Sequence, residues 1–397
     1  MRIGFIFQRN YFSGGSFTYE IAMALTFKKL QYDTIFFVYN ESQRNSLARY
    51  GIDAVVLKKS LSDNIIRNLL RNPFSYWLPR KYMTIIEKQL KSYGVDIVYL
   101  PSPDVLAMDL IETNFIITVL DLCHLDFPEF PEVNFHREFE MREELYKSTL
   151  RKAVAVITDN EYTSKKISQI YGVSPERIHI IPYSHISTVY LASMERNIRY
   201  DDIRKKYSIG GEYLYYPAQF WAHKNHVYII DALKILHSRG LIIEAVFSGS
   251  DKGNLNYVLN YAEKAGLKNY VKYLGFVSDE DKYLLYKNAL ALVMPTYFGP
   301  TNIPPLEAFA LGVPVIYSDI EGLRDQVKDA ALLCDLRNPQ SLAECVEKIF
   351  HNQNIRDKLI EGGKKILQHS VKDNKVLEIL SDILDSFQRK LKCWKSY

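Results

Sequence analysis

The chain has 397 residues, 47% of them hydrophobic and 24% charged. At roughly 150 residues per domain this is enough for two buried cores, and the composition excludes a disordered or collagen-like protein. Its 50 Lys and Arg against 46 Asp and Glu leave a net charge of +4, too mild a balance for a protein held on nucleic acid by counterion release.

Taken from the N-terminus, the first apolar run is residues 3–7, too short for a signal-peptide core, and no stretch approaches the roughly eighteen apolar residues of a membrane span. The cytoplasm is the expected compartment. Short β-branched and aromatic runs at residues 3–7, 34–39, 54–57, 97–100, 115–120 and 153–158 alternate with amphipathic stretches of helical length, the signature of βαβ units around a parallel sheet. Residues 182–211 lack a clean apolar period and carry polar and Gly punctuation, so the inter-domain linker is placed there. A second set of runs at 213–218, 244–248, 271–276, 289–294, 314–317 and 331–334 repeats the rhythm, and helical patterns continue from Pro339 onward. The expected fold is α/β, with two doubly wound Rossmann-like domains facing across a cleft. They span residues 1–190 and 191–370, and residues 371–397 form a C-terminal helix able to pack back on the first domain. Cys123, Cys334, Cys345 and Cys393 form no C-x-x-C pair and read as reduced thiols.

Charge is distributed unevenly. Residues 1–100 carry 14 basic and 7 acidic side chains, residues 101–150 carry 3 and 11, and residues 351–397 carry 10 and 6. Both ends favour anions. In residues 68–91, Arg71, Arg80, Lys81, Lys88 and Lys91 interleave with Phe74, Tyr76, Trp77 and Tyr82. This mixture suits an anionic membrane surface, or equally a solvated helix over a buried aromatic stripe.

In doubly wound domains, ligands sit beyond the carboxyl ends of the strands, so motifs that follow strands are the candidates. Ser13-Gly14-Gly15-Ser16 follows the first strand and lets backbone approach a ligand, or is a plain loop; it is neither G-x-G-x-x-G nor a P-loop. Asp121-Leu122-Cys123-His124-Leu125-Asp126 offers His124 to a sugar hydroxyl or phosphate, with Asp121 orienting a neighbour. The same three polar residues resemble a metal constellation but lack helical ligand spacing. In Tyr216-Pro217-Ala218-Gln219-Phe220-Trp221-Ala222-His223-Lys224-Asn225, Lys224 is either a point charge for a leaving phosphate or a solvated lysine at a helix start. Residues 295–307 lead into a helix whose Pro304 and Pro305 suit a first turn, whose free amides make an anion site, and whose Glu307 can accept two ribose hydroxyls or simply match the helix dipole. Asp279-Glu280-Asp281 has metal-motif spacing but opens a predicted helix, where acids match the dipole.

On these residues the chain resembles the retaining glycosyltransferases of the GT-B fold, grouped as glycosyltransferase family 4 (group 1), over nearly its whole length. The resemblance is carried by the Gly14-Gly15 loop, Asp121 to His124, Lys224, Gly249-Ser250-Asp251-Lys252-Gly253, Leu274-Gly275-Phe276, Pro304-Pro305-Leu306-Glu307 and Gly312-Val313-Pro314-Val315. It implies that His124, Lys224 and Glu307 are catalytic and that Gly14, Gly15, Asp121, Gln219, Gly249, Thr301, Asn302 and Ile303 bind the donor. Two positions depart from the family pattern: Gly299 stands where the first of two glutamates belongs, and Gln219 where an arginine does. The implied reaction moves mannose or rhamnose, with retention, from a nucleoside-diphosphate sugar to a hydroxyl of a glycan or lipid-linked glycan in surface polysaccharide synthesis. It needs no resident cofactor and no metal, and the enzyme is cytoplasmic or peripheral on the inner membrane face. Two other classes share the architecture: a nucleotide-sugar epimerase, and a catalytically silent scaffold that binds partner glycosyltransferases.

Overall fold

A strand in a parallel sheet is covered by helices on both faces and is therefore apolar along its whole length rather than alternating. The runs Ile97–Leu100, Ala155–Thr158, Glu244–Ser248, Ala291–Met294 and Val315–Ser318 are buried at every position. The computed structural model describes residues 1–9, 15–58, 83–182, 200–299, 301–369 and 373–394. The chain divides into two units, one of Met1–Leu122, Glu140–Pro182 and Val371–Tyr397, the other of Cys123–Phe139 and Tyr183–Ser370.

Unit 1 holds β1 (Arg2–Ile6), α1 (Gly15–Lys29), β2 (Asp33–Val38), α2 (Glu41–Ala48), β3 (Ala54–Val56), α3 (Ile85–Ser92), β4 (Ile97–Leu100) and β5 (Asn114–Thr118). After α4 (Glu138–Thr149), which starts at the unit boundary, come β6 (Ala155–Thr158), α5 (Glu161–Tyr171) and β7 (Ile178–Ile180). The strands form one seven-stranded sheet in the order β3-β2-β1-β4-β5-β6-β7, every pairing parallel. Helix ends follow the local chemistry: α5 is capped by Asn160, whose side chain accepts from Thr163 N, and it stops at Gly172 in the left-handed conformation.

Unit 2 holds α6 (Tyr200–Tyr207), β8 (Tyr213–Pro217), α7 (His226–Ser238), β9 (Glu244–Ser248), α8 (Leu255–Lys264), β10 (Val271–Tyr273) and α9 (Asp279–Lys287). These are followed by β11 (Ala291–Met294), α10 (Ile303–Leu311), β12 (Val315–Ser318), β13 (Ala331–Cys334), α11 (Pro339–His351) and α12 (Gln353–His369). Its parallel six-stranded sheet runs β10-β9-β8-β11-β12-β13. The last helix, α13 (Asp373–Leu391), is part of unit 1, where Tyr32 on the turn after α1 donates its hydroxyl to Asp385.

All twelve strands expected from the sequence are present, within a few residues at each end, and the α/β class of two doubly wound sheets is correct. The expectation missed β7, a three-residue edge strand that is only half-buried and follows directly on Pro175-Glu176-Arg177. The division into units differs in two places: the boundary after β7 falls at Pro182 rather than at residue 190, and one earlier stretch changes unit. Cys123–Phe139, which falls in the first domain on the sequence reading, belongs to unit 2. Among the described residues no helix is long and apolar enough to cross a membrane. Residues 68–82 of the basic and aromatic stretch, Gly14, and most of the expected linker lie outside the described residues.

At the carboxyl end of β1 the chain turn is held by a carboxylate. Glu20 on α1 is wholly buried and accepts from Gln8 N (3.1 Å), Arg9 N (3.0 Å) and the Ser102 hydroxyl (3.0 Å). Burial pushes its carboxyl up to about 7, against the lowering effect of the Arg9 and Gln8 amides. The folded state therefore holds this proton at pH values where the unfolded chain has lost it, and stability falls as pH rises through the interval from 4.5 to about 7. Glu20→Gln is expected to remove about 2.5 kcal/mol of the wild-type loss of unit 1 stability between pH 5 and pH 8. Thermal unfolding of both proteins at the two pH values checks this; equal pH dependence in the two would contradict it.

Candidate functional site

In unit 2 the strand order reverses between β8 and β11, which pair directly through Ala291 with Leu214 and Leu292 with Tyr215. Successive connections leave these neighbours toward opposite faces of the sheet, so the loops after them diverge and leave a crevice at their carboxyl ends. Lys224 lies on the loop after β8, in the turn Ala222–Lys224, and Asn225 follows in the left-handed conformation with φ 54°. The Lys224 carbonyl accepts from the buried Tyr216 hydroxyl at 3.0 Å. Its ammonium stands 3.3 Å from Asn302 Oδ1 and 3.5 Å from Thr296 Oγ1, both on the loop after β11.

Asn302 is the N-cap of α10, but its side chain does not cap the helix. Its Nδ2 donates to Gly299 O and to the Tyr317 hydroxyl, each at 2.6 Å, while its backbone N donates to Gln326 Oε1 at 3.0 Å. The amide oxygen is thereby turned toward Lys224. Gly299 has φ +97°, and a Cβ there would lie 3.1 Å from Asn302 Oδ1. A glutamate at 299 would conflict with this backbone and with the placement of Asn302. The expected row of free amides at the start of α10 is thinner than the sequence reading supposed. Ile303 opens the helix and Pro304 and Pro305 lack an N–H, so of the first three helical positions only Ile303 offers a donor.

Glu307 lies on the buried side of α10, where Oε1 accepts from Lys282 Nζ at 2.8 Å and Oε2 from the Tyr286 hydroxyl at 2.7 Å. Both partners come from α9. Burial and the Glu307 carboxylate push the Tyr286 hydroxyl well above its ordinary value, so it stays a donor. Two donors occupy about half of the acceptor capacity of a carboxylate, which leaves lone pairs for further donors. Asp279, Glu280 and Asp281 open α9 behind the cap Ser278, as expected, and the Asp281 carboxylate takes the Lys206 ammonium and the Tyr207 hydroxyl.

The floor beneath the loop after β8 is aromatic. His226 is buried, stacked on Phe220 at 4.2 Å, with Tyr216 and Phe247 beside it; burial and the Lys224 charge push its imidazole down to about 3. It is a neutral ring in a stack. Gln219 donates to the Ser250 hydroxyl at 3.2 Å and accepts from Trp221 Nε1 at 3.0 Å, which turns its amide along the loop. Gly249 follows β9 with φ +145°, and a Cβ there would meet Ala218 O at 2.4 Å.

A second fastening comes from the segment Cys123–Phe139. His223 donates its backbone N–H to Glu132 Oε1 at 2.8 Å, its ring Nδ1 bonds the same oxygen, and its ring stacks on Phe298 at 3.7 Å. Phe127, Phe130 and Tyr297 pack around Cys123, Val133 and Phe298. His124 lies in the one-turn helix Cys123–Asp126 with its ring buried and edge-on to Phe139. In unit 1, Asp121 pairs with Arg142 at 3.6 Å, and Gly15 is the first residue of α1. The structure therefore gathers Lys224, Asn302 and Ile303 at one switch point, and sets Glu307, Gln219 and Gly249 on elements flanking it. Lys282, Tyr286, Tyr317, Gln326 and Glu132 were not legible in the sequence, because each acts through a partner at least nine residues away. Among the described residues no three His, Cys, Asp or Glu side chains converge as metal ligands.

Two parallel sheets of seven and six strands, each wound on both faces, define the GT-B class. The Anabaena protein HepE, solved in complex with UDP, superposes with a TM-score of 0.74 at 15% identity over 97% of this chain and 100% of that one. The model of the family "Glycosyl transferases group 1" matches residues 200–366. Similar relatives include the O-antigen chain mannosyltransferase RfbU of Salmonella typhimurium, 27% identical over 59% of this chain and 61% of that protein. Another is the O-antigen chain mannosyltransferase B of Escherichia coli, 23% identical over 55% of this chain and 56% of that protein. The match thus spans a little over half the length of these curated relatives.

Gly249→Ala tests the packing of the loop after β8 on that after β9. The added methyl must displace backbone at a φ that L-residues rarely adopt, and together these effects cost about 2–4 kcal/mol. A lowered melting temperature of the full chain is expected; a variant as stable as the wild type would contradict the close approach.

Proposed function

We propose that the chain transfers a hexosyl group, mannose in particular, from a nucleoside-diphosphate sugar to a hydroxyl of a glycan or lipid-linked glycan, with retention at the anomeric carbon, in surface polysaccharide synthesis. The observation that carries this reading is the Lys224 ammonium beside Asn302 at the switch point of unit 2. Mannose is favoured by the two mannosyltransferase relatives. In this reading the bond from the anomeric carbon to the phosphate oxygen breaks, a bond to the acceptor oxygen forms on the same face, and the acceptor proton passes to the departing phosphate. Charge grows on the diphosphate as the first bond breaks, so catalysis is mainly stabilisation of the leaving group. Lys224 supplies a point charge and Ile303 a helix N-terminal amide. Glu307, held by Lys282 and Tyr286, accepts the ribose hydroxyls with its remaining lone pairs. His124 orients the donor sugar through its turn and takes no part as a base. The acceptor is assigned to unit 1, and the place of action to the cytoplasm or the inner membrane face.

Glu307→Gln replaces a charged acceptor by a neutral one, a change worth roughly 1.5–3 kcal/mol, so nucleoside-diphosphate affinity is expected to fall at least tenfold with folding intact. Calorimetry with UDP and GDP measures it, and unchanged binding would remove Glu307 from the site.

Transfer is further expected to proceed without a divalent metal, because Lys224 and the start of α10 already oppose the diphosphate charge. Product formation from GDP-mannose should survive exhaustive EDTA treatment and dialysis. Loss of activity that Mg²⁺ or Mn²⁺ restores would overturn the assignment of Lys224 as the leaving-group partner.

A further inference from the structure

His223 is held through its backbone, its ring Nδ1 and its ring face. Its backbone N–H and ring bond Glu132, its carbonyl accepts from Tyr297 N at 3.0 Å, and its ring lies on Phe298 at an interplanar angle of 17°. Both Glu132 and His223 are more than nine-tenths buried. Burial pushes the Glu132 carboxyl up, but the His223 ring and amide more than offset it and leave the group below its ordinary value. Glu132 is therefore ionised at neutral pH, and Nδ1 of His223 carries the proton between them.

A carboxylate in this place is not explained by packing. The surrounding cluster of Phe127, Phe130, Val133, Tyr297 and Phe298 is apolar, and a buried charged bond adds little net stability compared with apolar side chains of similar volume. What the bond does supply is direction. Lys224 follows His223 immediately, with its ammonium 3.3 Å from Asn302 Oδ1 and 3.5 Å from Thr296 Oγ1. Its aim is set by the backbone of the turn Ala222–Lys224, and that turn is fixed at His223 from one side and at the Lys224 carbonyl by Tyr216 from the other. The segment that carries Glu132 also packs against Tyr297 and Phe298, which lead toward Asn302, so it steadies both loops of the crevice.

We propose that Glu132 is a positioning residue for the phosphate contact: by holding the backbone and ring N–H of His223 it aims the Lys224 ammonium. The inference rests on the assignment of Lys224 to the diphosphate. A double-mutant cycle on the full chain tests it, with Glu132→Gln, Lys224→Met and the double variant titrated by calorimetry with UDP and GDP, and with uridine and guanosine as phosphate-free controls. Lys224→Met is expected to weaken diphosphate binding at least tenfold and to leave nucleoside binding unchanged. Glu132→Gln is expected to weaken diphosphate binding three- to tenfold, again sparing the nucleosides, and the double variant should match Lys224→Met within twofold. His223→Phe, which retains the ring on Phe298 and the backbone bond to Glu132, should reproduce the Glu132→Gln pattern and serves if that variant folds poorly. Multiplying losses in the double variant, or equal weakening of nucleosides and diphosphates by Glu132→Gln and His223→Phe, would overturn the positioning role. Diphosphate binding by Lys224→Met equal to wild type would instead overturn the assignment of Lys224, and the inference with it.

Discussion

The direct pairing of β8 with β11 is the constraint on which the site depends. It places side by side two strands that are 78 residues apart at their first residues, and the opposite courses of their connections open the space that Lys224 and Asn302 share. Everything nearby is arranged to make the two loops precise. Gly249 allows the loop after β9 to press on Ala218, and Tyr216 reaches up from β8 to the Lys224 carbonyl. Tyr317 and Gln326 orient the Asn302 amide from the next strand and the turn beyond it. A site on loops gains rigidity when each loop is bonded to a neighbour rather than to itself.

Buried carboxylates recur as fasteners in this chain. Glu20 gathers two consecutive amides after β1, Glu132 gathers the backbone and ring of His223, and Glu307 gathers a lysine and a tyrosine from α9. Their environments set their ionisation differently. Glu20 lacks a charged partner strong enough to offset its burial and is pushed up to about 7, whereas the bonds from His223 hold Glu132 below its ordinary value. A carboxylate can accept several donors at once, and it is therefore suited to collecting N–H groups that helix and sheet leave unsatisfied at the ends of strands.

Much of this could be read from the chain alone. Apolar runs of four to six residues separated by helical periods identify parallel strands because a strand buried on both faces admits few polar residues, and twelve of the thirteen strands among the described residues are recognisable that way. The half-buried β7 escapes because an edge strand of three residues carries too little pattern. Lys224, Asn302 and Glu307 stand out because they follow strand-like runs, Lys224 in the loop after residues 213–218 and the other two at the Pro304-Pro305 helix start. The partners that set these residues in place left no such trace. Glu132 is 91 positions from His223, and a Glu in an acidic stretch looks the same whether it is solvated or bonded to a histidine. The membership of Cys123–Phe139 in unit 2 is likewise decided by its contacts with Phe298 and His223, not by its place in the chain. Local pattern thus determined which elements form and which residues face the ends of the strands, because burial and backbone preference act over a few residues; only the tertiary structure decided where those residues point, because orientation comes from hydrogen bonds between segments that meet only once the sheets are assembled.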